Sequence, residues 1–373
     1  MSKLFEKTTI NGMTLNNRLV RSATWEGMCD QDGRPTAKLT DFYTKLAEGG
    51  VGLIISGYTF VRPEGKQLPG KMGIHTDDFA ADMQKITKAV HDAGGKICIQ
   101  LVHAGGQTDS ATAGQTPLAP SAVEVAQFAE KPTALTKEQI SEIVAAFGQG
   151  AARAKAYGFD AVQLHGAHGY LVNQFLSPLT NQRDDEYGGS IEHRSRFLLE
   201  VYGAVRDAVG PDYPVMIKLN CADFLDGGLQ PEEALYAAKA LDKQGIDAIE
   251  VSGGTPASGD QSPARAKINK PAQEGYHVSL AKQVKTAVSC PVMVVGGMRS
   301  LGVIDKALSE DGLDYVSLAR PLICEPDLVK RWQQGNISPA KCISCNGCFM
   351  PGLKEGGIYC VVAKKEQEKA AAS

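Results

Sequence analysis

The chain has 373 residues, of which 43% are hydrophobic and 22% charged, with a net charge of −3. This is the balance of an ordinary globular protein with room for a large core, and it offers no general attraction to nucleic acid or to an anionic membrane. No apolar run nears the roughly 20 residues of a membrane span, and MSKLFEKTTI has no leader character, so a cytoplasmic protein is expected.

Taken in chain order, strand-type runs are predicted at 18–23, 51–56, 96–101, 160–165, 215–220, 247–252, 291–296 and 314–319. Nearly all are continuously apolar, as parallel strands covered on both faces require. Helix-length segments separate them. In one, Thr136 with Gln139 predicts a capping box and Gly158 a stop. In another, Pro231 lies in the first turn and Gly245 just past the end. Eight strand-then-helix units predict an α/β fold, a (β/α)8 TIM barrel over residues 1–335. An open doubly wound sheet would carry an early G-x-G-x-x-G turn, and none is present. Residues 336–373 are predicted to form a short cysteine-rich C-terminal extension that ends in a frayed KKEQEKAAAS.

Barrels of this kind gather chemistry at the C-terminal ends of their strands. The last two runs end in VVGGMRS and LARP. Paired glycines let backbone N–H groups approach an anion and Arg320 supplies a fork, which together predict a phosphate site; a plain turn and a surface ion pair are the alternative. Lys218 lies inside an apolar run, where an unpaired ammonium is costly. It either pairs with a buried carboxylate or faces an anion formed during turnover. Gln100 offers both a donor and an acceptor, as a heteroaromatic ring edge requires. His165 and His168, with Tyr170 two residues on, have three readings: zinc ligands, satisfied core histidines, or paired donors to one oxygen beside a proton donor.

The stretch HGAHGYLVNQFLSPLTNQRDDEYGGS, with NNRLVRSATWEG, IQLVHAG, KLN, VVGGMRS and SLARPLICEPDL in matching order, resembles the Old Yellow Enzyme family of FMN-dependent ene-reductases. The likeness covers about residues 1–335. It implies an FMN-binding barrel with NADH or NADPH as electron donor and a small unsaturated carbonyl compound as substrate. His165 and His168 would polarise the substrate's carbonyl oxygen and Tyr170 would donate a proton. Gln100 would touch the flavin pyrimidine edge, and Ala23, Thr24, Trp25 and Gly57 would line the ring. Gly296, Gly297, Ala319 and Arg320 would hold the phosphate. Lys218 stands where many relatives have arginine; it keeps the positive charge near flavin N1 and loses the bidentate fork. Trp25 departs further, since relatives often carry Thr or Cys there. Arg183, Asp185 and Tyr187 are expected to order the long loop rather than to react.

Cys342, Cys345, Cys348 and Cys360 form C-x2-C-x2-C-x11-C, which suits a [4Fe–4S] cluster better than a zinc ribbon. Structural zinc or free thiols are the alternatives. This tail resembles the cluster segments of 2,4-dienoyl-CoA reductase and trimethylamine dehydrogenase. Those enzymes continue into nucleotide-binding domains, whereas here no FAD or NAD module follows, so a separate electron-carrier protein is expected. A homo-oligomer is expected. Enoyl-CoA or dienoyl-CoA reduction and amine dehydrogenation remain as alternative activities. From another class, so does a non-flavin sugar-phosphate barrel enzyme using Lys218 as a Schiff base.

Overall fold

The computed structural model describes residues 3–372. Each of the eight predicted runs coincides with a strand to within a few residues: β1 (Leu19–Arg21), β2 (Leu53–Ile55), β3 (Ile97–Val102), β4 (Ala161–Gly166), β5 (Val215–Asn220), β6 (Ala248–Ser252), β7 (Val292–Val295) and β8 (Tyr315–Leu318). Each pairs in parallel with its sequence neighbours, and β8 pairs with β1, so these eight close a (β/α)8 barrel among the described residues.

The principal covering helices are α1 (Ala37–Glu48), α2 (Ala80–Asp92), α3 (Lys137–Ala156), α4 (Arg196–Val209), α5 (Pro231–Lys243), α6 (Val278–Ala287), α7 (Leu301–Ser309) and α8 (Leu328–Gln333). On α4, Phe197, Leu198, Val201, Tyr202, Val205 and Val209 are buried along one stripe. Each such side chain contributes about 1.5–3 kcal/mol of transfer free energy. The capping box of Thr136 and Gln139 opens α3, and Pro231 occupies the first turn of α5.

One element lies outside the predicted rhythm. Thr8–Ile10 and Met13–Leu15 form an antiparallel hairpin around Asn11 and Gly12, both at positive φ (38° and 77°). Asn-Gly is the favoured pair for such a turn, so the signal was in the sequence. Ile10, Met13 and Leu15 pack with Val20, Leu53, Cys98, Ala161, Met216, Ala248, Met293 and Tyr315, contributed by all eight strands. The hairpin thus closes the N-terminal end of the barrel and leaves the opposite mouth for ligands.

After α8 the chain returns along the rim. Ile358 N–H donates to Glu26 O at 2.8 Å, and Lys38 Nζ to Gly356 O at 2.9 Å. The expected frayed end is instead a helix, Val361–Ala372, because its Lys, Glu, Gln and Ala residues all favour helix. Ser373 lies outside the described residues. No helix among the described residues is long and apolar enough to cross a membrane.

Candidate active site at the barrel mouth

The turn after β4 sets the central geometry. Gly166 ends the strand where a Cβ would come within 2.9 Å of Ile217 Cδ1. His168 then adopts φ 62°, rare for a side-chain-bearing residue, and Gly169 follows at φ 79°. Leu171 N–H donates to His103 O at 3.0 Å, and Gln174 Nε2 to Gly169 O at 2.6 Å. These bonds fix Tyr170 at the start of a short helix, Leu171–Leu176.

Three of the predicted site residues come together here. The His165 ring lies 4.6 Å from the Tyr170 ring and 5.3 Å from the His168 ring. His165 Nδ1 is buried without a hydrogen-bond partner. His168 Nε2 meets Ser252 Oγ at 2.7 Å, which leaves its Nδ1 for a ligand. Burial, then the neighbouring His168, Lys218 and Lys71, hold His165 well below the usual imidazole range. Burial and Lys218 do the same for His168. Both rings are therefore neutral near pH 7, each with one N–H to give. Burial pushes the Tyr170 phenol well up, so it keeps its proton.

Sequence reasoning did not find the groups around Tyr170. Gln67 Oε1 accepts from Tyr58 Oη (2.9 Å), Tyr170 Oη (3.1 Å) and Lys71 Nζ (3.2 Å). Lys71 is buried, and its ammonium lies 3.3 Å from the Tyr58 ring centroid. These residues belong to the loop after β2, whose sequence carries no motif of its own.

A second set lines the barrel interior just below. Lys218 Nζ donates to Ser22 Oγ at 2.8 Å and lies 3.5 Å from Glu250 Oε2. The pairing with a buried carboxylate, one of the two sequence readings, is thus the one observed. Ser22 Oγ in turn donates to Glu250 Oε1 at 2.8 Å. Gln163 Nε2 donates to Glu250 Oε2 at 2.9 Å, and Gln100 Nε2 to Gln163 Oε1 at 2.6 Å. Gln100 Oε1 is buried and unpartnered. Glu250 and Gln163 were missed, although a carboxylate inside the apolar run AIEVS carries the same signal as Lys218.

The other predicted cofactor residues rim the same mouth. Thr24 is buried, Ala23 is half-buried, and the Gly57 N–H is taken by Glu26 Oε1 (2.9 Å) and Tyr43 Oη (3.0 Å). Trp25 turns its indole onto the C-terminal extension: a Cβ on Gly352 would fall 2.7 Å from Trp25 Cζ3, while Nε1 donates to Pro69 O at 3.2 Å. Gly297 has φ 70°, and a Cβ there would strike the Tyr276 ring at 2.7 Å, so only glycine fits beside Gly296. Ala319 precedes Arg320, whose Nη1 donates to Arg265 O (2.8 Å) and Asn346 Oδ1 (2.6 Å). Its Nε and Nη2 remain for an anion.

These features fit FMN on two counts. The buried, unpartnered acceptor of Gln100 suits the N3–H donor of the flavin pyrimidine edge. The paired glycines and Arg320, at the ends of β7 and β8, are the residue types a phosphate cradle needs.

The comparison with known proteins agrees. Residues 3–338 match the NADH:flavin oxidoreductase / NADH oxidase family. The chain belongs to this family. Family membership places it among FMN-dependent oxidoreductases and accords with the Old Yellow Enzyme resemblance. It is 38% identical over 350 residues to a protein named NADH oxidase from Thermoanaerobacter brockii, covering 93% of this chain and 53% of that one. It is 38% identical to a protein named NADPH dehydrogenase from Clostridium acetobutylicum, covering 88% of this chain and 93% of that one. Among solved structures, a 2-naphthoyl-CoA reductase in complex with 2-naphthoyl-CoA superposes with a TM-score of 0.89 at 28% identity, covering 96% of this chain and 56% of that one. The chain thus spans about half the length of some relatives it matches. A non-flavin sugar-phosphate enzyme with Lys218 as Schiff base has no support, since Lys218 is committed to Ser22 and Glu250.

The flavin oxidoreductase barrel has a second feature beside Arg320. Cys342, Cys345, Cys348 and Cys360 line a single cavity with Ile323 and Asn346. Ser344 and Asn346 take positive φ (54° and 60°) to turn the loop, and Ser344 N–H points at Cys342 Sγ at 3.5 Å. Cys324, not anticipated, lies near them: burial first, then the neighbouring Cys360 and Cys342, raises its thiol. Even so, among the described residues no three His, Cys, Asp or Glu side chains converge as a metal site. The four thiols share the cavity without forming a ligand set. Arg183 ties down the long loop as expected, through Asp185 (3.0 and 2.6 Å), Pro120 O (2.9 Å) and Leu135 O (2.7 Å).

Proposed function

We propose that the chain is an FMN-dependent ene-reductase that reduces the activated C=C bond of α,β-unsaturated carbonyl compounds with electrons from NADH or NADPH. The observation that carries this reading is the unpartnered Nδ1 of His165 beside His168 and Tyr170. When bound, FMN supplies the hydride chemistry, held by Gln100, Lys218, Gly296, Gly297, Ala319 and Arg320 and lined by Ala23, Thr24, Trp25 and Gly57.

The chain's own residues do the rest. His165 and His168, both neutral, offer N–H groups to the substrate's carbonyl oxygen, where negative charge develops. Such a donor is worth about 3–4 kcal/mol. With the Ser252 hydroxyl donating to Nε2, the His168 N–H stands on Nδ1, free for the substrate. Tyr170 keeps its proton until the α-carbon needs it, and Gln67 holds the phenol in place. Tyr58, Leu171 and the buried helix behind them exclude water.

The test is direct. Purified protein supplied with FMN and NADH or NADPH under anaerobic conditions should reduce 2-cyclohexenone. A colourless protein that takes up no FMN overturns the reading.

A thioester substrate is a second reading, favoured by the superposition on 2-naphthoyl-CoA reductase across 96% of the chain. Turnover of a dienoyl-CoA in preference to cyclohexenone decides for it. We further propose that Cys342, Cys345, Cys348 and Cys360 of the extension (336–373) bind a [4Fe–4S] cluster, or zinc, served by a separate electron carrier, in a homo-oligomer. Iron, sulfide and zinc near zero in anaerobically purified protein would exclude this part.

A further inference from the structure

The line of side chains from Gln100 to Lys218 has a direction that chemistry alone dictates. Lys218 donates to Ser22 Oγ, so the Ser22 proton must go to Glu250. Glu250 already accepts from Ser22 and pairs with the Lys218 ammonium, so its carboxylate takes a further donor and the Gln163 amide presents its NH2 to it. Its carbonyl oxygen then faces Gln100, which must present its own NH2 in turn. The last free atom of the chain is therefore an acceptor, Gln100 Oε1, buried and unpartnered. Each amide orientation is thus forced by the one before it. The register supports the same order. Gln100 pairs with Gln163 across β3 and β4, and Lys218 pairs with Glu250 across β5 and β6.

We propose that Glu250 is a positioning residue for the flavin site: it orients Gln100 through Gln163 and offsets the charge of Lys218. Resting on the FMN reading above, this assigns Glu250 two separable effects. Through the amides it makes Gln100 an acceptor for the flavin N3–H, which favours binding in either redox state. Through Lys218 it weakens the positive field at the pyrimidine ring, which disfavours the anionic reduced flavin. The carboxylate is fully buried, so solvent screens neither effect.

The experiment compares wild type, Glu250→Gln and the double variant Gln163→Glu/Glu250→Gln, measuring FMN binding to apoprotein and the midpoint potential. FMN uptake by wild type is measured first; its absence refutes the functional reading and this inference with it. With uptake established, Glu250→Gln should bind FMN about tenfold more weakly, because the amides lose their forced direction. Its reduced-to-oxidised binding ratio should rise about tenfold, a shift of about +30 mV for a two-electron couple. The double variant keeps a carboxylate next to Gln100 but moves it away from Lys218. It should recover FMN affinity to within about threefold of wild type while its potential stays high. Wild-type affinity and potential in Glu250→Gln overturn the proposal. Should Glu250→Gln fail to fold, the double variant decides alone: a wild-type potential or unrecovered affinity overturns the proposal.

Discussion

The turn after β4 and the cysteine-lined cavity beside Arg320 both collect reactive side chains, but they differ in how those side chains are held. Around His165, every neighbour is fixed by a named bond: His168 to Ser252, Tyr170 to Gln67, Gly169 to Gln174. What remains open is one buried ring nitrogen, His165 Nδ1, without a hydrogen-bond partner. In the cavity the four thiols share a space without converging, and Cys345 is exposed. The first region is organised by protein contacts alone. The second gathers four thiols along one cavity without bringing any three of them into a ligand set.

Experiments can break or sharpen that contrast. The largest effect is expected at Tyr170. Tyr170→Phe should slow alkene reduction by about 10²–10⁴-fold while FMN reduction by NADH or NADPH stays within a few-fold, as separated by stopped-flow half-reactions. Equal loss in both halves would show that the mouth had collapsed. Replacing the open donor comes next. His165→Ala should lower kcat/KM for a simple enone by about 10²–10³-fold, with FMN content unchanged.

Acid should act on buried histidines. Burial lowers His103 and His277 to about 4, below the unfolded value near 6.5. Between those values the unfolded chain binds more protons, so stability is complete above about pH 6.5 and falls as pH drops toward 4. The loss approaches about 3 kcal/mol for each, read as the urea midpoint against pH. A flat midpoint from pH 7 to 4.5 contradicts it. The smallest effect concerns the loop: Arg183→Ala should cost about 1–3 kcal/mol, seen as a lower Tm with kcat/KM little changed.

The barrel was legible because nearly every core strand lies in a mostly apolar run without alternation, and because every connection is long enough for a crossover helix. His165, His168 and Tyr170 were legible because their spacing is local. Glu250, Gln163 and Ser252 were not, since what they touch is set by register between strands far apart in sequence. Lys71, Gln67 and Tyr58 sit on a loop without periodicity and converge only when the barrel closes. The indole of Trp25 rests on Gly352 because the extension folds back over the rim, and no spacing within the first loop encodes that contact.

That contact makes the protein its own gauge. The chain has two tryptophans; Trp332 is buried in the helical shell, and Trp25 is wedged against the returning tail. Any lifting of the cysteine-bearing segment must wet the Trp25 indole. Its emission would then shift to the red, an optical report on tail docking that needs no added label.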